Sequence, residues 1–203
     1  VYMIIKRLFF ALLFAVLAAQ AYADSPVDVI QSAADALGQR IDGHKDELKA
    51  NPSELYALID KILLPRFDRD YAAQLVLGRY WRSASEDQRK RFVDAFYRAL
   101  LHRYADGVLD YDQSKIEILP YRGGDDDERA TVRTFVTLDD GTRVPVNYAL
   151  VKRDSGWLMF DVTIEGVSYV RNFRAELNSE IQAKGLDSVI KRLETEAASK
   201  DSS

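Results

Sequence analysis

The pattern of apolar and polar positions divides the chain into a helical part followed by a strand part. In the helical part, apolar residues recur at spacings of three and four, which places them on one face of an α-helix. The four stretches with this spacing are "SPVDVIQSAADALGQRI", "NPSELYALIDKILLP", "DYAAQLVLG" and "SEDQRKRFVDAFYRALLHRYADG". Four amphipathic helices are therefore predicted between residues 25 and 107.

Two of these helices begin with capping signals. Asn51 precedes Glu54 by three residues, and Ser85 precedes Gln88 by the same spacing. A polar N-cap residue followed at this distance by Glu or Gln is typical of a capping box, in which two backbone N–H groups find acceptors. We therefore expect capping boxes at both helix starts.

In the strand part, apolar and polar residues alternate, as they do on a half-buried β-strand. The alternating stretches are "SKIEILPY", "RATVRTFVTL", "RVPVNYALV" and "WLMFDVTIE". "DDGT" and "RDSG" separate the last three and are turn signals. The pattern predicts a four-stranded antiparallel meander with one apolar face.

The stretch "DVTIEGVSYVRNFRAEL" (161–177) changes from an alternating to a helical pattern across Gly166. It predicts that the last strand leads directly into a helix from Val167 to about Ala183, and a further helix follows from Asp187 to about Ala198. Helices first, strands second and helices last indicate an α+β fold, with the helices packed on one face of the curved sheet.

The N-terminal residues have the features of a secretory signal peptide. Lys6 and Arg7 precede the apolar run "LFFALLFAVLAA", and Ala21-Tyr22-Ala23 has the small residues of a cleavage site. We therefore expect a signal peptide over 1–23 and a single exported domain over 24–203. Its removal takes away two positive charges and no negative ones, so the formal net charge goes from −4 to −6. This acidity argues against nucleic acid as a partner, and the absence of cysteine excludes disulfides.

No reactive constellation stands out in the sequence. His44 and His102 are the only histidines, and neither has a second ligand at a metal-binding spacing. The acidic run "GGDDDERA" lies between two predicted strands and lacks EF-hand spacing, so we interpret it as a solvated loop. The basic and aromatic "WRSASEDQRKRF" is interpreted as a helix start, with an anionic partner as the alternative. The residues alone indicate an exported α+β domain without a catalytic or metal site.

Two stretches together resemble a known family. "PRFDRDYAAQLVLGRYWRSASEDQRKRFVDAFYRALLHRYA" (65–105) has its Phe-Asp pair, Leu-Gly-x-Tyr-Trp element and Gln-x-x-x-Phe helix, and "DVTIEGVSYVRNFRAEL" resembles its Asp-Val-x-Ile-Glu-Gly-Val-Ser element. The family is that of the periplasmic phospholipid carriers called MlaC, also known as toluene-tolerance proteins. Tyr169 and Phe173 depart from its pattern, where an aliphatic residue and a tyrosine are expected.

The resemblance implies an NTF2-like, cystatin-like fold with a lipid pocket between sheet and helices. It also implies a carrier without cofactor or catalytic activity, which maintains outer-membrane lipid asymmetry. Its partners would be diacyl phospholipid, an outer-membrane lipoprotein–porin complex, and an inner-membrane ABC transporter complex with a membrane-anchored lipid-binding subunit. Exposing two acyl tails of roughly thirty methylenes to water costs on the order of 20 kcal/mol, which the pocket has to offset.

With such a pocket, the inward apolar residues become candidate contacts of the acyl tails. These candidates are Leu75, Phe92, Phe96, Leu100, Ile116, Ile118, Val132, Val136, Val146, Tyr148, Leu150, Phe160, Val162, Ile164, Val167 and Val170. Arg79, Arg82 and Arg174 are the candidate contacts of the head group. Two alternatives stay open at this point: an adaptor without a pocket that binds a partner through segment 79–91, and an NTF2-like enzyme with a buried acid or base.

Overall fold

The computed structural model describes residues 25–109, 115–124, 127–138 and 140–201. The expected signal peptide over 1–23 and part of the acidic loop, residues 125–126, lie outside this range. The helices are α1 (Pro26–Ile41), α2 (Lys45–Ala50), α3 (Pro52–Leu63), a 3₁₀ turn (Leu64–Arg66), α4 (Arg69–Leu77), α5 (Arg79–Ser83), α6 (Glu86–Leu109), α7 (Tyr169–Lys184) and α8 (Leu186–Asp201). The strands are β1 (Ile116–Ile118), β2 (Arg129–Thr137), β3 (Arg143–Arg153), β4 (Gly156–Ile164) and β5 (Val167–Ser168).

One of the two predicted capping boxes is confirmed. Ser85 N donates to Gln88 Oε1 at 2.9 Å, and Gln88 N donates to Ser85 Oγ at 3.1 Å. The box predicted at Asn51 is wrong, because the Asn51 side chain makes no capping hydrogen bond. Asn51 ends α2 and starts α3 at the same time: its own N–H bonds back to Glu47 and Leu48, and its backbone is not in the extended conformation of an N-cap.

The strands form an open antiparallel sheet in the order β1-β2-β3-β4-β5. The predicted α+β class is therefore confirmed, with five strands instead of four. The additional strand arises at the Gly166 junction, where Glu165 (φ +49°) and Gly166 (φ +83°) form a tight turn. Two consecutive residues with positive φ are typical of a two-residue hairpin, so Val167 and Ser168 return along β4 before α7 begins.

Strand β4 contains a bulge that alternation alone did not predict. Leu150 pairs with Met159 and Ala149 pairs with Asp161, which leaves Phe160 without a directly opposed residue on β3. One extra residue reverses which side chains point to a given face of the sheet. Uninterrupted alternation places Leu158 on the inner face. Because of the bulge, Met159 is the buried residue and Leu158 is only half-buried.

Helices cover one face of the sheet. On β2, Ala130, Val132 and Thr134 are buried, whereas Thr131 and Arg133 between them are exposed. Buried side chains form three clusters: the first joins α4, α6, α7 and α8, the second joins α1, α2 and α3 to the C-terminal half of α6, and the third joins α1 to the sheet. Among the described helices, none has the length and apolar character needed to cross a membrane.

Candidate functional site

Two adjoining cavities lie between the helices and the sheet, where the three clusters meet. We call them chamber A, of about 240 Å³, and chamber B, of about 370 Å³. Both are lined by the same five residues along their boundary: Phe67, Leu100, Tyr104, Val108 and Val162. The two chambers therefore form one divided apolar site.

Chamber A is bordered by α1, α3, α6 and the sheet. Its lining comprises Ile30, Ala33, Ala34, Leu37, Ile59, Leu63, Phe67, Tyr97, Leu100, Leu101, Tyr104, Ala105, Val108, Tyr148, Met159 and Val162. Helical spacing explains how α1 and α6 each supply a continuous apolar stripe. On α1 the stripe includes Ala33 and Ala34, whose short side chains leave space that larger residues would fill.

Chamber B lies between α6, β4 and the first turns of α7. Its lining comprises Phe67, Phe96, Leu100, Tyr104, Gly107, Val108, Phe160, Asp161, Val162, Ile164, Tyr169, Val170 and Phe173. Rings pack edge to face around it: Tyr104 against Tyr169 at 4.6 Å between ring centroids, and Phe96 against Phe173 at 5.3 Å. Such aromatic pairs contribute beyond their buried area and stabilise the contact between α6 and α7 beside the chamber.

Among the described residues, Asp161 is the only charged one that lines either chamber, and its carboxylate already has hydrogen-bond partners. It accepts hydrogen bonds from Ser168 Oγ at 2.5 Å and from the backbone N–H of Val170 at 3.0 Å. Ser168 in turn accepts from the backbone N–H of Arg171 at 3.1 Å. These groups satisfy N–H donors at the start of α7, so Asp161 has a structural role at the junction of β5 and α7.

Three tyrosines at the chamber walls have a raised pKa. Burial raises the pKa of Tyr97, and the hydrogen bond that its hydroxyl donates to Asp60 Oδ1 at 2.6 Å raises it further. Burial also raises the pKa of Tyr148, and burial together with the neighbouring Tyr104 raises the pKa of Tyr169. Around neutral pH these three phenols are therefore uncharged, which suits the apolar walls.

The structure brings seven of the sixteen candidate tail contacts to the chambers. They are Phe96, Leu100, Tyr148, Phe160, Val162, Ile164 and Val170. They come from four elements, namely α6, β3, β4 and the start of α7. Their convergence follows from the inward phases of these elements, which the sequence pattern predicted.

The other nine candidates lie outside the chamber lining. Phe92, Val132 and Leu150 are almost completely buried in packed clusters, and Val146 is 7 % exposed. Leu75, Ile116, Ile118 and Val136 are half-buried and face neither chamber. Val167 is 59 % exposed because it belongs to the edge strand β5 and not to the helix that was predicted to begin there.

Several lining residues were not among the candidates. The stripe of α6 extends through Tyr97 and Tyr104 to Val108, past Gly107, where the helix was predicted to end. Continuing the three-and-four spacing by one turn would have found Val108. Met159 lines chamber A only because of the bulge at Phe160, for which the alternating pattern contains no signal.

The three candidate head-group arginines lie away from the chamber lining. Arg79, Arg82 and Arg174 are exposed, at the place where α4, α5 and α7 meet. The Arg174 guanidinium stands over Gly78: a Cβ on Gly78 would lie 2.9 Å from Nη2 of Arg174. From this position the three arginines do not directly contact a molecule inside the chambers.

Within the described ranges, no three His, Asp or Glu side chains come together as a metal site would require. His44 is exposed beside Glu47, with Nδ1 3.2 Å from its carboxylate. His102 lies against the ring of Tyr56, at 4.7 Å between centroids. In the described part of the acidic loop, the Asp127 carboxylate accepts the backbone N–H of Gly124 at 2.8 Å.

The fold and the site together define an α+β protein with a divided apolar cavity between its helices and its sheet. The sequence pattern of the family described as MlaC protein matches residues 31–195. Because this match spans most of the chain, the protein belongs to the MlaC family.

Individual relatives agree with this placement. The chain is 30 % identical over 166 residues to the toluene tolerance protein ttg2D of Pseudomonas putida, a match that covers 81 % of this chain and 77 % of that one. It is 27 % identical over 177 residues to the intermembrane phospholipid transport system binding protein MlaC of Haemophilus influenzae, with coverage of 86 % and 83 %.

A solved structure has the same fold. It is the phospholipid-binding protein of Ralstonia solanacearum in complex with a phospholipid, which superposes with a TM-score of 0.75 at 24 % identity. The superposition covers 85 % of this chain and 96 % of that one. The two chains therefore share a fold at low sequence identity.

Proposed function

We propose that this protein is a periplasmic carrier of diacyl phospholipid, which it holds by the acyl tails in chambers A and B. The observation that carries the proposal is the divided apolar cavity in a chain of the MlaC family. The phospholipid named for the Haemophilus and Ralstonia relatives supports the choice of cargo.

Each chamber takes one acyl tail in this proposal. Chamber A is smaller than the range of about 300–1,000 Å³ typical of small-molecule sites, and chamber B lies near its lower end. Neither therefore encloses a whole diacyl lipid, whereas two linear tails separate naturally on either side of the shared wall. Leu100, Tyr104 and Val108, one helical turn apart on α6, form the helix side of that wall.

Binding by the tails also suits the release of cargo. A methylene contributes about 0.8 kcal/mol when it leaves water, whether it enters a protein cavity or a bilayer. The carrier and the membrane then hold the tails about equally well, and little net free energy opposes transfer. Direction has to come from the partners, since the chain offers no energy source of its own.

The location in this proposal rests on the predicted signal peptide, and the partners rest on the resemblance to the MlaC family. A signal peptide over 1–23 exports the domain over 24–203 to the periplasm. There it carries phospholipid between an outer-membrane lipoprotein–porin complex and an inner-membrane ABC transporter complex, and so maintains the lipid asymmetry of the outer membrane. The naming of the Haemophilus relative as part of an intermembrane phospholipid transport system supports this role.

Solvent extraction and mass spectrometry of the freshly purified, undenatured protein test the proposal. We expect diacyl phospholipid in the extract without any lipid having been added. An empty extract would contradict the carrier role and favour the adaptor that binds a partner through segment 79–91. Turnover of an added substrate by lipid-free protein would favour the enzyme.

A further inference from the structure

Three exposed arginines form a basic surface where α4, α5 and α7 meet. We call Arg79, Arg82 and Arg174 the arginine patch. Arg79 and Arg82 are three residues apart on α5 and therefore neighbours on its surface. Arg174 reaches the same place from α7, since its guanidinium stands over Gly78, the residue before Arg79.

The arginines of the patch lack the carboxylate partners that several arginines of α6 and α8 have. Arg91 pairs with Glu194 at 2.7 Å, Arg192 with Glu180 at 2.7 Å, and Arg103 with Glu176 at 3.4 Å. Among the residues that the structure describes, no member of the patch forms an ion pair. Arg79 instead donates to the Tyr80 hydroxyl at 2.8 Å. The three positive charges are therefore available to an external anion.

Contacts between helices hold the backbone beneath the patch in place. Arg89 of α6 donates from Nε to the Trp81 carbonyl at 2.9 Å and lies 5.3 Å from the Trp81 ring centroid. Asn178 of α7 donates to the Val76 carbonyl of α4 at 3.2 Å. These contacts tie α5 to α6 and α7 to α4, so the three guanidinium groups are presented from a rigid base.

We propose that the arginine patch docks the protein on the surface of a membrane that contains anionic phospholipid. Charge complementarity favours this partner, because the exposed guanidinium groups attract anionic head groups. The rest of the surface does not, since the chain as a whole has a formal net charge of −4. Screening limits electrostatic attraction to about 8 Å at physiological ionic strength. Only the face nearest the membrane then matters, so an acidic protein with a local basic patch adsorbs in one orientation.

In that orientation chamber B lies near the membrane surface. Phe173 lines chamber B, and the next residue of α7, Arg174, belongs to the patch. Docking through the patch thus holds the helix that borders chamber B against the membrane surface. This inference goes beyond the proposed function, because a lipid carrier does not by itself require a membrane-docking face.

The expected attraction is weak enough to reverse. A single Arg near an anionic membrane surface increases partitioning roughly five-fold. Three of them together increase it about a hundred-fold, which concentrates the protein at the membrane without anchoring it. A shuttle needs contact of this strength, since it has to leave again with or without its cargo.

Flotation of the purified protein with lipid vesicles tests the proposal. One vesicle type contains phosphatidylcholine mixed with phosphatidylglycerol, and the other contains phosphatidylcholine alone. We expect the protein to bind only the mixed vesicles and to dissociate as salt is added. The variant R79Q/R82Q/R174Q should lose about a hundred-fold in binding to the mixed vesicles.

A matched control removes three charges elsewhere. Arg40, Arg122 and Arg133 are exposed and likewise form no ion pair with described residues, so R40Q/R122Q/R133Q changes the net charge by the same amount. This control should bind as the parent does. Lipid content, measured in the same preparations, should be unchanged in both variants, so a failure of docking is separated from a failure of the carrier role.

Three results would overturn the proposal. The parent protein could ignore the mixed vesicles, the patch variant could retain full binding, or the control could lose as much as the patch variant. If the parent ignores both vesicle types while the patch variant fails to deliver lipid to membranes that contain the transport proteins, the patch docks on an acidic protein and the membrane proposal is wrong.

Discussion

Two parts of the same sheet face have opposite packing. Beneath the N-terminal end of α1, Val132 and Leu150 are at most 1 % exposed and belong to a close-packed cluster. Further along, beside Tyr148 and Val162, the helices do not pack directly on the sheet, and chambers A and B lie between them. Both parts consist of branched and aromatic residues, so composition does not distinguish them. Their difference shows that an apolar sheet face can be either core or cavity wall, depending on which helix residues oppose it.

The bulge in β4 lies at the boundary between the two parts. Before it, Trp157 is buried in the packed cluster and Met159 lies between that cluster and chamber A. After it, Val162 and Ile164 line the chambers. The extra residue, Phe160, changes which side chains face inward. The inward-facing residues therefore change their phase in the sequence at the bulge, close to where packed core gives way to cavity.

Burying a charge should separate the two parts most strongly. Val132→Glu places a carboxylate among close-packed atoms and should cost several kcal/mol, enough to unfold a domain whose stability is about 5–15 kcal/mol. Val162→Glu should stay folded, because water can reach the half-buried side chain through the open chambers. Circular dichroism melting of both variants measures this difference.

The comparison extends to Val146, which is buried outside both chambers. Val146→Glu should behave like Val132→Glu. A cooperative melting transition near the parent temperature for Val132→Glu, or loss of folding in Val162→Glu, would mean that the assignment of core and cavity is reversed.

Truncating a leucine should give the next largest effect. Leu150→Ala creates a cavity in packed core and should lower the free energy of unfolding by about 2–5 kcal/mol. Leu100→Ala only enlarges chambers that already exist, so it should cost about 1 kcal/mol. Urea denaturation of the two variants gives the difference, and equal losses would contradict the presence of open space beside Leu100.

The smallest effect concerns the Tyr97 hydroxyl at the wall of chamber A. Tyr97→Phe removes its hydrogen bond to Asp60 and should cost about 1 kcal/mol at neutral pH. Because the pKa of Tyr97 is raised in the folded state, the unfolded chain loses this proton first as pH increases above about 10. The stability that the neutral phenol contributes is present below that pH and is lost above it.

The parent should therefore lose stability more steeply than Tyr97→Phe as the pH rises above about 10. Denaturation midpoints measured across this range check the slope. Tyr80→Phe, which alters a hydroxyl on the outer surface beside Arg79, serves as the control and should follow the parent. Parallel curves for the parent and Tyr97→Phe would show that the Tyr97 proton is not linked to folding.

Local patterns predicted much of the fold. The capping box at Ser85, the apolar stripe of α6 and the order of helices and strands follow from interactions between residues close in sequence. The fifth strand escaped prediction because Glu165 adopts a positive φ, which is uncommon for a residue with a side chain. Asn51 failed as a cap because it closes α2 as well as opening α3.

The site was harder to predict than the fold, for a physical reason. Alternation identifies which residues face inward, but a void depends on the fit between side chains of different elements. Val132 and Val162 follow the same pattern in sequence, yet one is core and the other lines both chambers. The alanines of α1 and the bulge at Phe160 decide this outcome, and their effect emerges only when helix and sheet are packed together.

Native mass spectrometry of a variant with a side chain filling the chambers tests most directly the claim that cargo occupies them. Val108 lines both chambers and is half-buried, so Val108→Trp should place a large ring in the space for the tails. Ser179→Trp adds the same ring to the exposed surface of α7 and serves as the matched control. The parent and Ser179→Trp should carry the added mass of a diacyl phospholipid, and folded Val108→Trp should have lost it. Full lipid occupancy in folded Val108→Trp would contradict the account.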